Sequence, residues 1–140
     1  MNPAHRLAVC AAVVAGAALS PVAVAAAAVT VPFQIPPAPF GNPNGSFDVL
    51  PIRCAAVVGE QPGEVTITGG LAGGWGCMLS SEVLWLNLST GASGSARLSD
   101  GLNGIPAAAT LQTGAGQVAV TVLPATGGTT VPGVATFLVP

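Results

Sequence analysis

The sequence has few of the side chains on which proton transfer and metal binding depend. It contains no tyrosine and no lysine, and its one histidine, His5, lies near the amino terminus. Histidine is the most frequent general base in enzymes and the commonest metal ligand. Without it, residues 29–140 lack the parts of a Ser-His-Asp or Cys-His centre and of an ordinary zinc site. We therefore expect a protein that is not an enzyme and that needs no cofactor.

Charge is equally scarce. Asp, Glu, Lys and Arg together make up 6% of the 140 residues, whereas ordinary domains are about a quarter charged. Such a chain has little with which to neutralise nucleic-acid phosphates, and no stretch has the Gly-Lys-Ser/Thr pattern of a nucleotide-binding loop. A surface with little charge exposes apolar area, which favours self-association or contact with cell-envelope components. A monomer covered with Ser and Thr is the alternative.

Residues 1–28 have the features of a signal-peptide helix. His5 and Arg6 give a short basic start, Leu7–Leu19 is an unbroken run of small and apolar residues, and small residues continue to Ala28. Signal peptidase cuts after small-x-small patterns of this kind. We therefore expect cleavage near Ala25–Ala28 and a secreted or cell-envelope location. The apolar run is shorter than the roughly 20 residues of a spanning helix, and an uncleaved anchor is the alternative.

Two cysteines, Cys54 and Cys77, remain after cleavage. An even number of cysteines in an exported chain favours a disulfide over a metal site or a nucleophile. Closing a loop of about 24 residues would stabilise the fold by about 3 kcal/mol in the chain-entropy model. We therefore expect these two residues to form a structural disulfide.

The chain after residue 28 indicates an all-β fold. Five prolines in residues 29–45 predict an extended arm, either a spacer or an edge segment laid along the domain. Residues 46–140 carry turn signals every 8 to 12 residues or so and no helical periodicity. This spacing predicts a small antiparallel β-sandwich, immunoglobulin-like in general form.

Alternation of side chains predicts the individual strands. The strand at residues 83–89 has three leucines on one face, which we expect to line the core: Leu84, Leu86 and Leu88. We expect this strand to form a β-meander with Val65–Thr68 and Ser95–Leu98. A separate hairpin is expected between residues 107–113 and 116–123.

Trp75 and Trp85 are the candidate binding residues. Tryptophan combines a large apolar face with one hydrogen-bond donor, as a platform for a sugar or a lipid requires. Core packing beside the disulfide is the alternative, and it is favoured for Trp75. A hydrolase would need two carboxylates roughly 5 to 10 Å apart in a cleft. The four carboxylates weighed for that role are expected on turns and strand ends: Glu60, Glu64, Glu82 and Asp100.

The alanine-rich leader, the charge-poor body and the ending Pro132-Gly133-Val134-Ala135-Thr136-Phe137 resemble small exported proteins of high-GC actinobacteria. The likeness is one of style across the whole chain and includes no diagnostic motif. Because the leader looks bacterial, the glycosylation sequons at Asn44 and Asn87 are interpreted as chance matches.

These observations together predict a secreted or envelope-associated, non-enzymatic β domain with a structural or binding role. The alternative is a subunit of an oligomeric outer-envelope pore, motivated by low charge and alternating strands. Pore strands need about 9 to 11 residues, and most of the strands expected in this chain are shorter.

Overall fold

The computed structural model describes residues 27–39, 52–74, 76–123 and 130–140. These residues form ten strands and one three-residue 3-10 turn, Leu102–Gly104. In chain order the strands are β1 (Val29–Pro32), β2 (Ala38–Pro39), β3 (Cys54–Val58), β4 (Glu64–Gly69), β5 (Glu82–Asn87), β6 (Ser93–Arg97), β7 (Ala109–Gln112), β8 (Gly116–Leu123), β9 (Thr130–Val131) and β10 (Gly133–Val139).

Two four-stranded antiparallel sheets face one another. The first has the strand order β1-β3-β4-β7, and the second has the order β10-β8-β5-β6. A short pair, β2 and β9, stands beside them. The predicted antiparallel β-sandwich is therefore confirmed. The chain shares two stacked antiparallel sheets with immunoglobulin domains. Its disulfide differs from theirs, because it joins a strand to a loop instead of linking two strands across the sheets.

The core lies between the two sheets and follows the two-residue period of each strand. In β8, alternate residues are fully buried and the intervening residues are half-buried. Similar alternation in β4, β7 and β10 supplies the rest of the interior. The core is aliphatic with one phenylalanine from β10, and its main members in these four strands are Val65, Ile67, Leu111, Val118, Val120, Val122, Phe137 and Val139. Each buried side chain of this size contributes about 1.5–3 kcal/mol relative to its exposed state.

The expectation that the leucine face of β5 lines the core is wrong. Leu84, Leu86 and Leu88 are 38–56% exposed, whereas Val83 and Asn87 on the other face are fully buried. The cause is the pairing of β5 with β8, because directly opposed residues of antiparallel strands lie on the same face. β5 is aligned with the inward valines of β8, so that Val83, Trp85 and Asn87 turn inward, opposite Val122, Val120 and Val118.

Substitutions on the two faces of β5 test this register. We expect Leu86→Ser to change the free energy of unfolding by less than about 1 kcal/mol, because Leu86 is already 42% exposed. Val83→Ala, which removes fully buried methyl groups, should cost about 2 kcal/mol. Equilibrium urea unfolding of both variants measures the difference, and a greater loss for Leu86→Ser would contradict the register.

Two predicted connections are also wrong. β4 lies in the first sheet and β5 with β6 in the second, so these strands do not form a meander. Likewise β7 and β8 belong to different sheets and are not a hairpin. At the second connection the Asn87 side chain donates hydrogen bonds to the carbonyls of Thr113 and Ala115, which fixes the chain as it crosses between layers.

The first part of the proline-rich arm is an edge segment of the sandwich. Val29–Pro32 pairs with β3, and Phe33 enters the core. The Gln34 amide then accepts from the backbone N–H of Thr136 at 2.7 Å and donates to its carbonyl at 3.3 Å. These two bonds satisfy backbone groups on the outer edge of β10, which would otherwise be open to pairing with another chain. Residues 40–45 of the arm lie outside the described residues.

The predicted disulfide is confirmed. Cys54, at the start of β3, is joined to Cys77 in the link between β4 and β5, and their Cα atoms are 4.7 Å apart. Both cysteines are buried. The bond therefore ties the long glycine-rich link to the beginning of a core strand.

Candidate functional site

The two ends of the sandwich differ in chemical character. One end includes two segments of the chain, the link between β4 and β5 (described at residues 70–74 and 76–81) and residues 98–107, and we call it the loop end. The other end carries the short turns at residues 59–63, 88–92 and 113–115, and we call it the turn end. The loop end exposes large apolar side chains, while the turn end is built around polar groups.

Hydrogen bonds hold the two segments of the loop end together. Gly76 forms a parallel bridge with Ala107, and the Ser80 amide donates to the Ser99 carbonyl at 3.1 Å. At Gly76, φ is +88° and an added methyl group would overlap the Ala107 backbone, so only glycine fits this crossing. The disulfide through Cys77 lies directly beside this bridge. The base of the loop end is therefore fixed to the sandwich.

Four large apolar side chains project from this fixed base. They are between 54% and 66% exposed: Leu71, Leu79, Leu102 and Ile105. Leu79 lies against Gly101, so it neighbours the turn that carries Leu102. Leu71 lies against Gly74, and Gly74 lines one shallow pocket of about 200 Å³ together with Gly104 and Ile105. These contacts place the four residues on neighbouring parts of the loop end, and we call their exposed side chains the apolar tip.

Both basic residues of the described part of the chain lie at the base of the loop end. The Arg53 carbonyl accepts from the Gly70 amide at 2.8 Å, and Arg97 directly precedes the second loop segment. Both side chains are exposed. Glu82 stands opposite Arg97 in the β5–β6 ladder. Asp100, the one charged residue within the two loop segments, accepts from the Leu102 amide at 3.1 Å.

The turn end is organised by Asn87. Its fully buried amide donates to the carbonyls of Thr113 and Ala115 at 3.0 Å each, and it accepts from the amides of Ser89 and Thr90 at 3.0 and 3.1 Å. These bonds join the β5–β6 turn to the β7–β8 crossing. The Asn87 nitrogen that glycosylation would modify is therefore buried and already bonded, which agrees with the interpretation of this sequon as a chance match. Asn44 lies outside the described residues.

The four carboxylates weighed for hydrolysis lie on turns and strand ends, as expected. Glu60 and Glu64 lie at the β3–β4 turn, where Glu64 accepts from Gln112 at 2.6 Å. Glu82 starts a strand of the other sheet, and Asp100 is on the loop end. Three of the four are exposed and Glu64 is half-buried. Within the described residues, no group of three or more His, Cys, Asp or Glu side chains is arranged to hold a metal ion.

Of the two tryptophans considered as binding residues, Trp85 belongs to the part of the chain that the structure describes. Trp75 lies outside the described residues. Trp85 is half-buried on the inward face of β5 and packs against the core. Its ring covers Gly94 of the neighbouring edge strand, where an added methyl group would come within 2.8 Å of a ring carbon. Trp85 therefore closes the edge of the core and presents only part of its surface to solvent.

The apolar tip was not predicted from the sequence. Leu71, Leu102 and Ile105 stand among glycines, with no alternation or helical period to assign them to a face. The one sequence feature that could have indicated these residues is that each is a large apolar residue near glycines. From the sequence alone, such a residue cannot be distinguished from a core residue. They lie on neighbouring parts of the loop end because two segments distant in sequence meet at the Gly76–Ala107 bridge.

Comparison with protein-family models, with curated proteins and with solved structures found no match. Among the residues that the structure describes, no helix has the length and apolar character needed to cross a membrane.

Proposed function

We propose that the protein is exported and acts at the cell envelope as a non-enzymatic domain with a structural or binding role. The observation that carries this proposal is the exposure of large apolar side chains outside the core of the described residues. Four of them form the apolar tip, two lie on the outer face of β5, and Leu88 follows the end of that strand. Exposed apolar surface of this extent is typical of interaction sites.

The amino-terminal part of the domain supports export. Ala27 and Ala28, at the end of the expected leader, are exposed and precede β1, which begins at Val29. A cut near Ala25–Ala28 would leave every described strand intact. The Cys54–Cys77 disulfide is of the kind that persists in an oxidising compartment.

A binding role accounts for the described residues better than the alternatives. Glu60, Glu82 and Asp100 are exposed on turns or strand ends, whereas glycoside hydrolysis takes place between two carboxylates in a cleft. The longest strand in the described ranges has eight residues, whereas pore strands need about 9 to 11. Apolar side chains, most of them aliphatic, pack between the two sheets, which leaves the outer surface of the domain for binding.

Cell fractionation tests the proposal. The native protein should be recovered in the envelope or outside the cell, and detergent should release any envelope-bound protein more completely than high salt. A matched variant with Val13→Asp and Val14→Asp interrupts the apolar run of the leader and should remain inside the cell. Recovery of the native protein only in the cytoplasm, or equal distribution of both forms, would contradict the proposal.

A further inference from the structure

We propose that the apolar tip docks on a lipid bilayer, with Leu71, Leu79, Leu102 and Ile105 entering the interface and Arg53 and Arg97 at the level of the lipid phosphates. This proposal names the partner for the envelope role and rests on that proposed function. The sandwich would then stand on the membrane by its loop end, with the turn end directed away from it.

The size of the tip favours a lipid surface over a second copy of the chain. Four side chains, each little more than half exposed, make an apolar patch on the order of 400 Å², within the range of functional patches. A stable protein–protein interface takes about 800 Å² from each partner. Insertion at the boundary of head groups and acyl chains needs only an apolar face entering about 5–10 Å. Side chains projecting from two loops meet that requirement.

The positions of the two arginines are compatible with a lipid surface. Both arginines of the described residues lie at the base of the loop end, where long side chains can extend towards phosphate groups while apolar neighbours enter the interface. Glu60 and Glu64 are at the turn end, on the far side of the sandwich. Glu82, opposite Arg97, and Asp100 also lie at this end, so the formal charges of the described loop end balance. The arginines would therefore act through the reach of their side chains to individual phosphate groups and not through a net positive charge.

The tip is also held in place before any partner binds. The disulfide, the Gly76–Ala107 bridge and the bond between Ser80 and Ser99 fix the two segments against each other. The exposed side chains consequently do not have to be gathered from a disordered loop, which removes part of the entropic cost of binding.

The leucines of β5 form a different kind of surface. Their neighbours on the adjacent strands are small or polar: Ser95 and Thr121 beside Leu84, and Ser93 and Ala119 beside Leu86.

Vesicle co-sedimentation tests the proposal directly. The protein is purified in its exported, disulfide-bonded form, and all variants carry the same amino terminus so that any contribution of the leader cancels. The probes are vesicles of phosphatidylcholine alone and vesicles containing about one third phosphatidylglycerol. We expect the double variant Leu102→Ser/Ile105→Ser to lower the partition coefficient on both kinds of vesicle at least tenfold.

Leu88 provides the matched control. It is 56% exposed, like the leucines of the tip, but it lies at the turn end. Leu88→Ser should therefore leave partitioning unchanged within about twofold. Unfolding curves of the three proteins establish that each is folded. An equal loss for Leu88→Ser, or no loss for the double variant, would overturn the proposal.

The arginines have a separate signature. A basic side chain near an anionic surface contributes about 1 kcal/mol, or roughly fivefold in affinity. Arg53→Gln/Arg97→Gln should abolish the preference for vesicles with phosphatidylglycerol and leave binding to phosphatidylcholine unchanged. An undiminished preference would contradict the assigned position of the arginines.

The outcomes separate this proposal from the envelope role. An exported protein that sediments with neither kind of vesicle contradicts lipid docking and leaves the envelope role in place. If that protein is instead a dimer that Leu102→Ser/Ile105→Ser converts to a monomer, the tip binds a second copy and the lipid proposal is wrong. A cytoplasmic location contradicts the envelope role, whereas the vesicle measurement is made on purified protein and does not depend on it.

Discussion

Replacing Asn87 with alanine is expected to lower the free energy of unfolding by about 3–5 kcal/mol. The Asn87 side chain is fully buried and makes four hydrogen bonds of 3.0–3.1 Å, two as donor and two as acceptor. Alanine would leave two carbonyls and two amides without these partners. Each buried polar group left unpaired costs about 1–3 kcal/mol, and water reaching the exposed turn residues would reduce the sum.

The Asn87 effect is measured by equilibrium urea unfolding with the disulfide intact. Gln112→Ala is the matched control, because it also removes an amide but from an exposed position where the partner is the Glu64 carboxylate. Its cost should be below about 0.5 kcal/mol. A loss under about 1 kcal/mol for Asn87→Ala would show that the turn end is not organised by this side chain.

Removing the disulfide by Cys54→Ala/Cys77→Ala is expected to cost about 3 kcal/mol. The two cysteines are 23 residues apart in sequence, and cross-linking a loop of this length restricts the unfolded chain by about that amount. The double substitution leaves no unpaired thiol in the buried interior. In the chain-entropy model, the disulfide stabilises the protein mainly by lowering the conformational entropy of the unfolded chain.

The disulfide prediction has an independent check. The wild-type protein unfolded in the presence of a thiol reductant should have nearly the same urea midpoint as the double variant. A midpoint unchanged by either treatment would mean that the packed sandwich alone fixes Cys77 and that the bond contributes little. Because Cys77 lies beside the Gly76–Ala107 bridge, the double variant should also weaken vesicle binding by the apolar tip.

Strand positions could be predicted from the sequence, but the register of β5 could not. Alternation identified β5, and the glycine and proline turns located most of its neighbours. Periodicity assigns residues to two faces without saying which face is buried. The face with three leucines was expected to be buried because it is more apolar than the face with Val83, Trp85 and Asn87. The pairing of β5 with the inward valines of β8 decided the matter. The burial of Asn87 could not be predicted either, because it depends on hydrogen bonds to carbonyls of a turn that is distant in sequence.

The disulfide could be predicted because an even number of cysteines in a chain expected to be exported favours a disulfide whatever the fold. The apolar tip could not, since the exposure of Leu102 and Ile105 depends on how two separate segments meet. The crossings between sheets were missed for a related reason. A short glycine-containing link such as Gly114-Ala115-Gly116 suits both a hairpin and a corner, and the Asn87 hydrogen bonds select the corner.

The central claim is that the chain is exported, loses its leader and works outside the cytoplasm as a sandwich closed by one disulfide. Mass spectrometry of the protein recovered from the envelope or the culture medium tests it most directly. We predict a chain that begins near Ala25–Ala28 and is lighter by two hydrogens than its reduced form, with Cys54 and Cys77 in one linked peptide pair. A chain that retains residues 1–24, or one with both thiols free, would contradict the claim.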